Sequence, residues 1–161
     1  MNHLFPPFNN VKARRAVLMA LSQEDYMRAL VGDDTSLWKP LPGFFTPDTP
    51  LYTEAGGEIL KGKRDLVGAK KLLAESGYAG QPVTCLVAQD QPITKAQGDV
   101  TAELLKRLGM NVDYAAIDWG TVRFVWKLVA SNCCPTVRVA GIDAVVVTLF
   151  SAMFPTGVPG Q

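Results

Sequence analysis

Between residues 82 and 117 the hydrophobic pattern changes period twice. Pro82–Ala88, read Pro-Val-Thr-Cys-Leu-Val-Ala, is a short β-rich run of the kind found in buried strands. Ile93–Leu108 then sets Val100, Leu104, Leu105 and Leu108 on one helical face and stops at Gly109. Met110–Ile117 returns to strand. Strand, crossover helix and strand predict a right-handed βαβ unit with parallel strands, and so an α/β fold class. Both strands then end on one edge, and ligands of such sheets bind outside the carboxyl ends of the strands. Gln89, Asp90 and Gln91 follow the first strand, and Asp118 and Trp119 follow the second. These residues are candidates for a ligand-binding edge.

The flanking pattern is helical upstream and weaker downstream. Asn9 and Asn10 are good helix caps before Val11–Leu21, where Val11, Val17, Leu18 and Leu21 fall at helical spacing. Ser22 with Asp25 resembles a capping box, and predicts a second helix reaching Val31 and ended by Gly32. Residues 33–63 hold Pro40, Pro42, Pro47 and Pro50 and several glycines, so a long, mostly irregular loop is expected. Its aromatics, Trp38, Phe44, Phe45 and Tyr52, argue that it packs on the core; ligand contact is the other use for them. Asp65 can cap a helix over Leu66–Ser76, with Gly77 as its stop. Beyond Trp119, Thr121–Ala130 is a further helix candidate and Ala144–Phe150 a buried strand candidate.

Composition narrows the function classes. The chain has 161 residues, 48% apolar and 19% charged, which suits one packed domain. A net charge of +1 with no basic run longer than two gives no reason to expect nucleic acid or an anionic membrane as partner. No apolar run reaches a membrane span, and no signal-peptide pattern opens the chain. The one histidine is His3, and the cysteines are Cys85, Cys133 and Cys134, with no C-x-x-C. Neither a zinc site nor a disulfide framework is expected, and no metal or cofactor is predicted. No nucleophile–base pair, G-x-S-x-G or phosphate loop is present, so the chain does not read as an enzyme.

Three local features have two readings each. Asp118 beside Trp119 could line a cleft, or Asp118 could cap a helix starting at Gly120 with Trp119 packed beneath it. Lys12, Arg14 and Arg15 stand at a helix start, where cations are unfavourable; solvent, a partner carboxylate or another lobe would offset that. Cys133–Cys134 is an adjacent pair without further ligands, and Cys85 reads as a buried thiol.

Three strings carry a resemblance. They are Pro-Pro-Phe-Asn-Asn-Val-Lys-Ala-Arg-Arg-Ala-Val (6–17), Ala-Lys-Lys-Leu-Leu-Ala-Glu-Ser-Gly-Tyr (69–78) and Leu-Leu-Lys-Arg-Leu-Gly-Met-Asn-Val-Asp (104–113). In that order they resemble the C-terminal lobe of the extracellular solute-binding proteins, family 5, which feed peptide and nickel ABC transporters. The resemblance implies a periplasmic-binding-protein type II-like fold of two α/β lobes, of which residues 1–161 would be one incomplete lobe. It further implies a periplasmic or extracellular parent, a peptide-like ligand and an ABC permease as partner. Met1 is then expected to be an internal methionine, with the first lobe missing. In peptide-binding members, a Gly-Trp-centred strand followed by an acidic residue holds the ligand's amino terminus. The corresponding string is Gly141-Ile142-Asp143-Ala144, which makes Asp143 a candidate, although the Gly-Trp is absent. Residues 123–161 depart from the family as an apolar tail; divergence and a frame change between about Val122 and Ala140 both account for it.

The expected function is therefore the substrate-binding part of an importer of peptides or similar small solutes. The alternative is a non-transporting remnant or a stand-alone α/β interaction domain from a disrupted gene. Self-association through exposed apolar surface is expected in either case.

Overall fold

A computed structural model of the chain describes residues 5–41, 43, 45, 47–61, 63–123 and 145–147. The predicted βαβ unit is its centre. Strand β1 (Pro82–Ala88) leads into helix α5 (Pro92–Leu108), which crosses back to strand β2 (Asn111–Ile117). β1 and β2 are parallel, in register from Pro82 opposite Asn111 to Ala88 opposite Ile117. A third strand, β3 (Val145–Val147), lies within the predicted 144–150 run and pairs parallel on the other side of β1, giving the order β2-β1-β3. That order explains the burial pattern. β1 is central and buried at every position after Pro82, whereas β2 alternates between partly buried and exposed, as a strand at the edge of these three does.

Gly109 closes α5 with φ +97°, a backbone region that side-chain-bearing residues resist. Its N–H returns to the Lys106 carbonyl at 2.9 Å, and Met110 N–H reaches Leu105 O at 2.9 Å. The chain is thereby turned straight into β2.

Four helices precede the sheet. Helix α1 (Val11–Ala20) is capped by Asn10, whose side chain accepts from Lys12 N at 2.9 Å. The other end of the Asn10 amide donates to Ser76 O at 2.9 Å, tying the start of α1 to the end of helix α4 (Leu66–Glu75). α1 buries Ala13, Ala16, Val17 and Ala20 against α4, while Val11 is 46% exposed. Of the large apolar positions expected on this face, Val17 and Leu21 are buried and Val11 is not, and the alanines beside them let the axes approach. Helix α2 (Gln23–Val31) is capped by Ser22, which accepts from Asp25 N at 3.3 Å, and ends at Gly32 as predicted. Asp65 accepts from Gly68 N at 2.8 Å and starts α4.

The described residues of 33–63 are irregular except for one short helix, α3 (Glu58–Lys61). Trp38 is buried, with its indole N–H 3.4 Å from Gly32 O, whereas Phe45 and Leu51 are exposed. Phe44 lies outside the described residues. Two of the three basic residues at the start of α1 find partners. Lys12 Nζ pairs with Glu75 at 3.2 Å, and Arg14 donates to Phe8 O at 2.6 Å.

One main core joins these elements. Phe8, Val17, Tyr26, Leu73, Val83, Leu105, Leu108 and Met110 pack into a single buried cluster between the helices and the sheet. Tyr26 brings its hydroxyl with it and satisfies it on Thr101 of α5 at 2.9 Å. Burial drives the Tyr26 pKa up to about 12, so it stays a neutral phenol.

Candidate functional site

The carboxyl ends of β1 and β2 come together as the βαβ reading requires. Gln89 N–H extends the strand ladder by one step, donating to Ile117 O at 2.9 Å. The Asp90 carboxylate reaches across and accepts from Trp119 N–H at 2.8 Å. The two strand ends are thus laced by one backbone and one side-chain bond. Four of the six residues the sequence singles out, Gln89, Asp90, Asp118 and Trp119, meet on this edge, and Gln91 stands next to them as the N-cap of α5. The sixth, Asp143, lies outside the described residues.

Each of the four is already bonded or packed. Asp118 turns toward its own chain, accepting from Thr121 N at 2.9 Å and from the Thr121 hydroxyl. Those bonds, the Thr121 hydroxyl first, hold the Asp118 carboxyl below its ordinary value. It caps helical residues 119–123. The Trp119 indole is half-buried and packs with Ala115 and Ile117 against Leu86, Ala88 and Val122. The capping reading of Asp118 and the packing reading of Trp119 are therefore the ones their immediate contacts satisfy. Asp90 and Gln89 are exposed, and each carries an acceptor on this edge.

A hydrogen-bond chain that the sequence reading did not anticipate runs back from Gln89. Its Nε2 donates to the Tyr114 hydroxyl at 3.1 Å, and Tyr114 donates to Asp99 Oδ1 at 2.6 Å. Asp99 Oδ2 is in turn 2.7 Å from Lys95 Nζ, one helical turn earlier on α5. Partial burial raises the Tyr114 pKa and the Asp99 bond raises it further. Burial also acts to raise the Asp99 carboxyl, but the bonds from Lys95 and Tyr114 outweigh it and leave the group below its ordinary value. Lys95 and Asp99 stand at i,i+4, a spacing legible in the sequence. Tyr114 joins them only through the strand register, which is not.

An open depression of about 440 Å³ lies at the opposite end of the sheet, between residues 6–10 and Tyr78–Gln81. Tyr78 and Asn10 within it are already bonded. The Tyr78 hydroxyl donates to Gln81 O at 2.6 Å and accepts from Asn111 N at 2.8 Å, and both ends of the Asn10 amide are bonded. The carboxyl edge is the better candidate because ligands of open α/β sheets dock outside the carboxyl ends of the strands.

Among the described residues no group of three or more His, Cys, Asp or Glu could hold a metal ion. Among them too, no helix is long and apolar enough to cross a membrane. Cys85 is fully buried in β1, and burial pushes its thiol up to about 11, which keeps it protonated and inert. Cys133 and Cys134 lie outside the described residues.

Comparison with known proteins gives consistent matches. The curated Sinorhizobium fredii protein named "Probable peptide ABC transporter periplasmic-binding protein y4tO" is 35% identical over 120 residues, covering 74% of this chain and 22% of that protein. The dipeptide-binding protein DppE of Bacillus subtilis is 31% identical over 123 residues, covering 70% of this chain and 22% of its own length. Among solved structures, the ABC transporter substrate-binding protein CtaP of Listeria monocytogenes superposes with a TM-score of 0.63 at 23% identity, over 74% of this chain and 24% of that one. The chain thus spans 22% of the length of these curated relatives. At that identity the solved structure speaks for the fold alone, a periplasmic-binding-protein α/β architecture seen here in part. The family model described as bacterial extracellular solute-binding proteins, family 5 Middle, matches residues 1–132, which include the βαβ unit and its laced edge, and the chain belongs to that family.

Proposed function

We propose that this chain forms part of a periplasmic or extracellular solute-binding protein that captures peptides or similar small solutes for an ABC permease. The observation that carries the reading is the laced carboxyl edge. Two parallel strands end together there, with the exposed Gln89 amide and the Asp90 carboxylate, which accepts from the Trp119 backbone N–H. Ligands of open α/β sheets dock at such edges. The matches to peptide-binding relatives support a peptide-like ligand. The role is capture and handover, with no bond broken.

The described residues offer a ligand one face, so binding by this chain alone is weak. A ligand enclosed from one side only keeps part of the contacts and little of the water exclusion that strengthens them. Titration of the ¹⁵N-labelled chain with tri-alanine tests this. Resonance shifts at 89–91 and 118–120 with millimolar affinity are expected; no shift anywhere at saturating peptide overturns the reading. Asp143, which resemblance makes the partner of a ligand amine, has its own test. The parent chain should prefer tri-alanine to N-acetyl-tri-alanine, and Asp143→Asn should abolish that preference; an undiminished preference removes Asp143 from the site.

A further inference from the structure

Which way the Gln89 amide faces is settled by proton counting. A phenol has one hydroxyl proton, and an ionised carboxylate can only accept. Tyr114 donates its proton to Asp99 at 2.6 Å, so toward Gln89 the phenol oxygen can only accept. The other group near the amide is the Val87 carbonyl, 3.5 Å from Nε2, which also only accepts. Two acceptors therefore face Nε2, and the amide cannot flip without setting Oε1 against both. Among the described residues, nothing donates to Oε1. Its neighbour Asp90 presents a carboxylate, so this part of the edge offers acceptors and suits a ligand that donates N–H.

Three elements meet in this arrangement. Gln89 follows β1, Tyr114 lies in β2 opposite Cys85, and Lys95 and Asp99 lie on the first half of α5. Lys95 fixes the carboxylate, the carboxylate fixes the phenol, and the phenol fixes the amide. We propose that Lys95, Asp99 and Tyr114 are positioning residues that hold Gln89 Oε1 as an acceptor for a backbone N–H of a bound peptide. The inference rests on the solute-binding reading above.

The experiment uses the full chain and two probes, tri-alanine and tri-alanine methylated at its backbone amide nitrogens. Tyr114→Phe keeps the ring and removes the hydroxyl. In the parent chain the Gln89 side-chain NH₂ should be rigid by ¹⁵N relaxation, and in Tyr114→Phe it should become mobile. The variant should bind tri-alanine about three- to tenfold more weakly, the worth of one neutral hydrogen bond. Its affinity for the methylated peptide and its thermal midpoint should be unchanged. Lys95→Met, at a half-exposed site, should move both readouts the same way by less, and it serves if Tyr114→Phe does not fold. A Gln89 NH₂ already mobile in the parent chain overturns the inference alone. So do tri-alanine shifts that either variant leaves unchanged, or an equal loss for both peptides. No tri-alanine shift at all overturns the solute-binding reading and this inference together.

Discussion

Asp118 and Asp90 stand on one edge and act over different ranges. Asp118 bonds three residues along its own chain, to Thr121, an N-cap pattern that the Asp-x-x-Thr string makes readable in advance. Asp90 bonds across 29 positions to Trp119 N–H, and only the pairing of β1 with β2 brings those two together. The candidate edge was therefore legible as a location, because strand ends are local features. Its wiring was not, because Tyr114 reaches Gln89 and Asp99 through register and a helix rotation that no short window contains. The Asp118 cap has a pH signature. Its carboxyl is held below the ordinary value, mainly by the Thr121 hydroxyl and then by the Thr121 amide. A group depressed in the folded state stabilises above its unfolded pKa, and that stabilisation is lost as pH falls through the lower folded value. The Thr121 amide resonance should thus titrate with a midpoint below that of a free aspartate, about 3.9. Asp118→Asn should remove the titration. A midpoint at or above the free value would mean the carboxylate faces solvent or ligand and does not cap.

At the scale of elements, the bounds of β1, α5, β2, α2 and α4 follow from period and caps, and they differ from the sequence expectation by a residue or so. What the pattern left open was the order of strands. Nothing local says on which side of β1 a strand at 145–147 inserts, although the mostly apolar run of β1 and the more polar, part-exposed pattern of β2 mark the central strand and the edge. The apolar stripe of α5 was legible, but the contact that sets its height over the sheet is a glycine. A Cβ at Gly98 would stand 2.5 Å from Val87 Cγ1 and 2.7 Å from Cγ2. These are branched atoms on a buried central strand, so relief requires α5 to lift. Gly98→Ala should destabilise by about 1–3 kcal/mol through overpacking, less about 1 kcal/mol gained in helix propensity. Urea denaturation reads the net loss. In a Val87→Ala background the same substitution should become neutral or stabilising. A Gly98→Ala chain as stable as the parent would show that α5 has room to spare and that the close approach does not set the packing.

For the molecule as a whole, the balance of charge and exposed apolar surface governs behaviour in solution. Leu37, Phe45, Leu51 and Ile59 are 56%, 42%, 65% and 41% exposed, all within or beside the irregular segment between α2 and α4. Single exposed apolar side chains are ordinary, but several on one segment favour association when nothing repels the copies. Here nothing does so strongly, since the net charge is only +1 and the sequence pI is about 7.7. The chain should therefore self-associate near neutral pH. Light scattering should give an apparent mass that rises above 17.4 kDa with concentration. Two changes should lower it independently. Leu37→Lys with Leu51→Lys removes the most exposed apolar side chains of the segment and adds charge. Moving the pH two units from the pI adds charge without altering the surface. If the double variant stays as associated as the parent while the pH shift disperses both, the copies meet elsewhere on the chain. A parent that scatters as a monomer at millimolar concentration would show that this segment's apolar side chains are too scattered to hold a second copy.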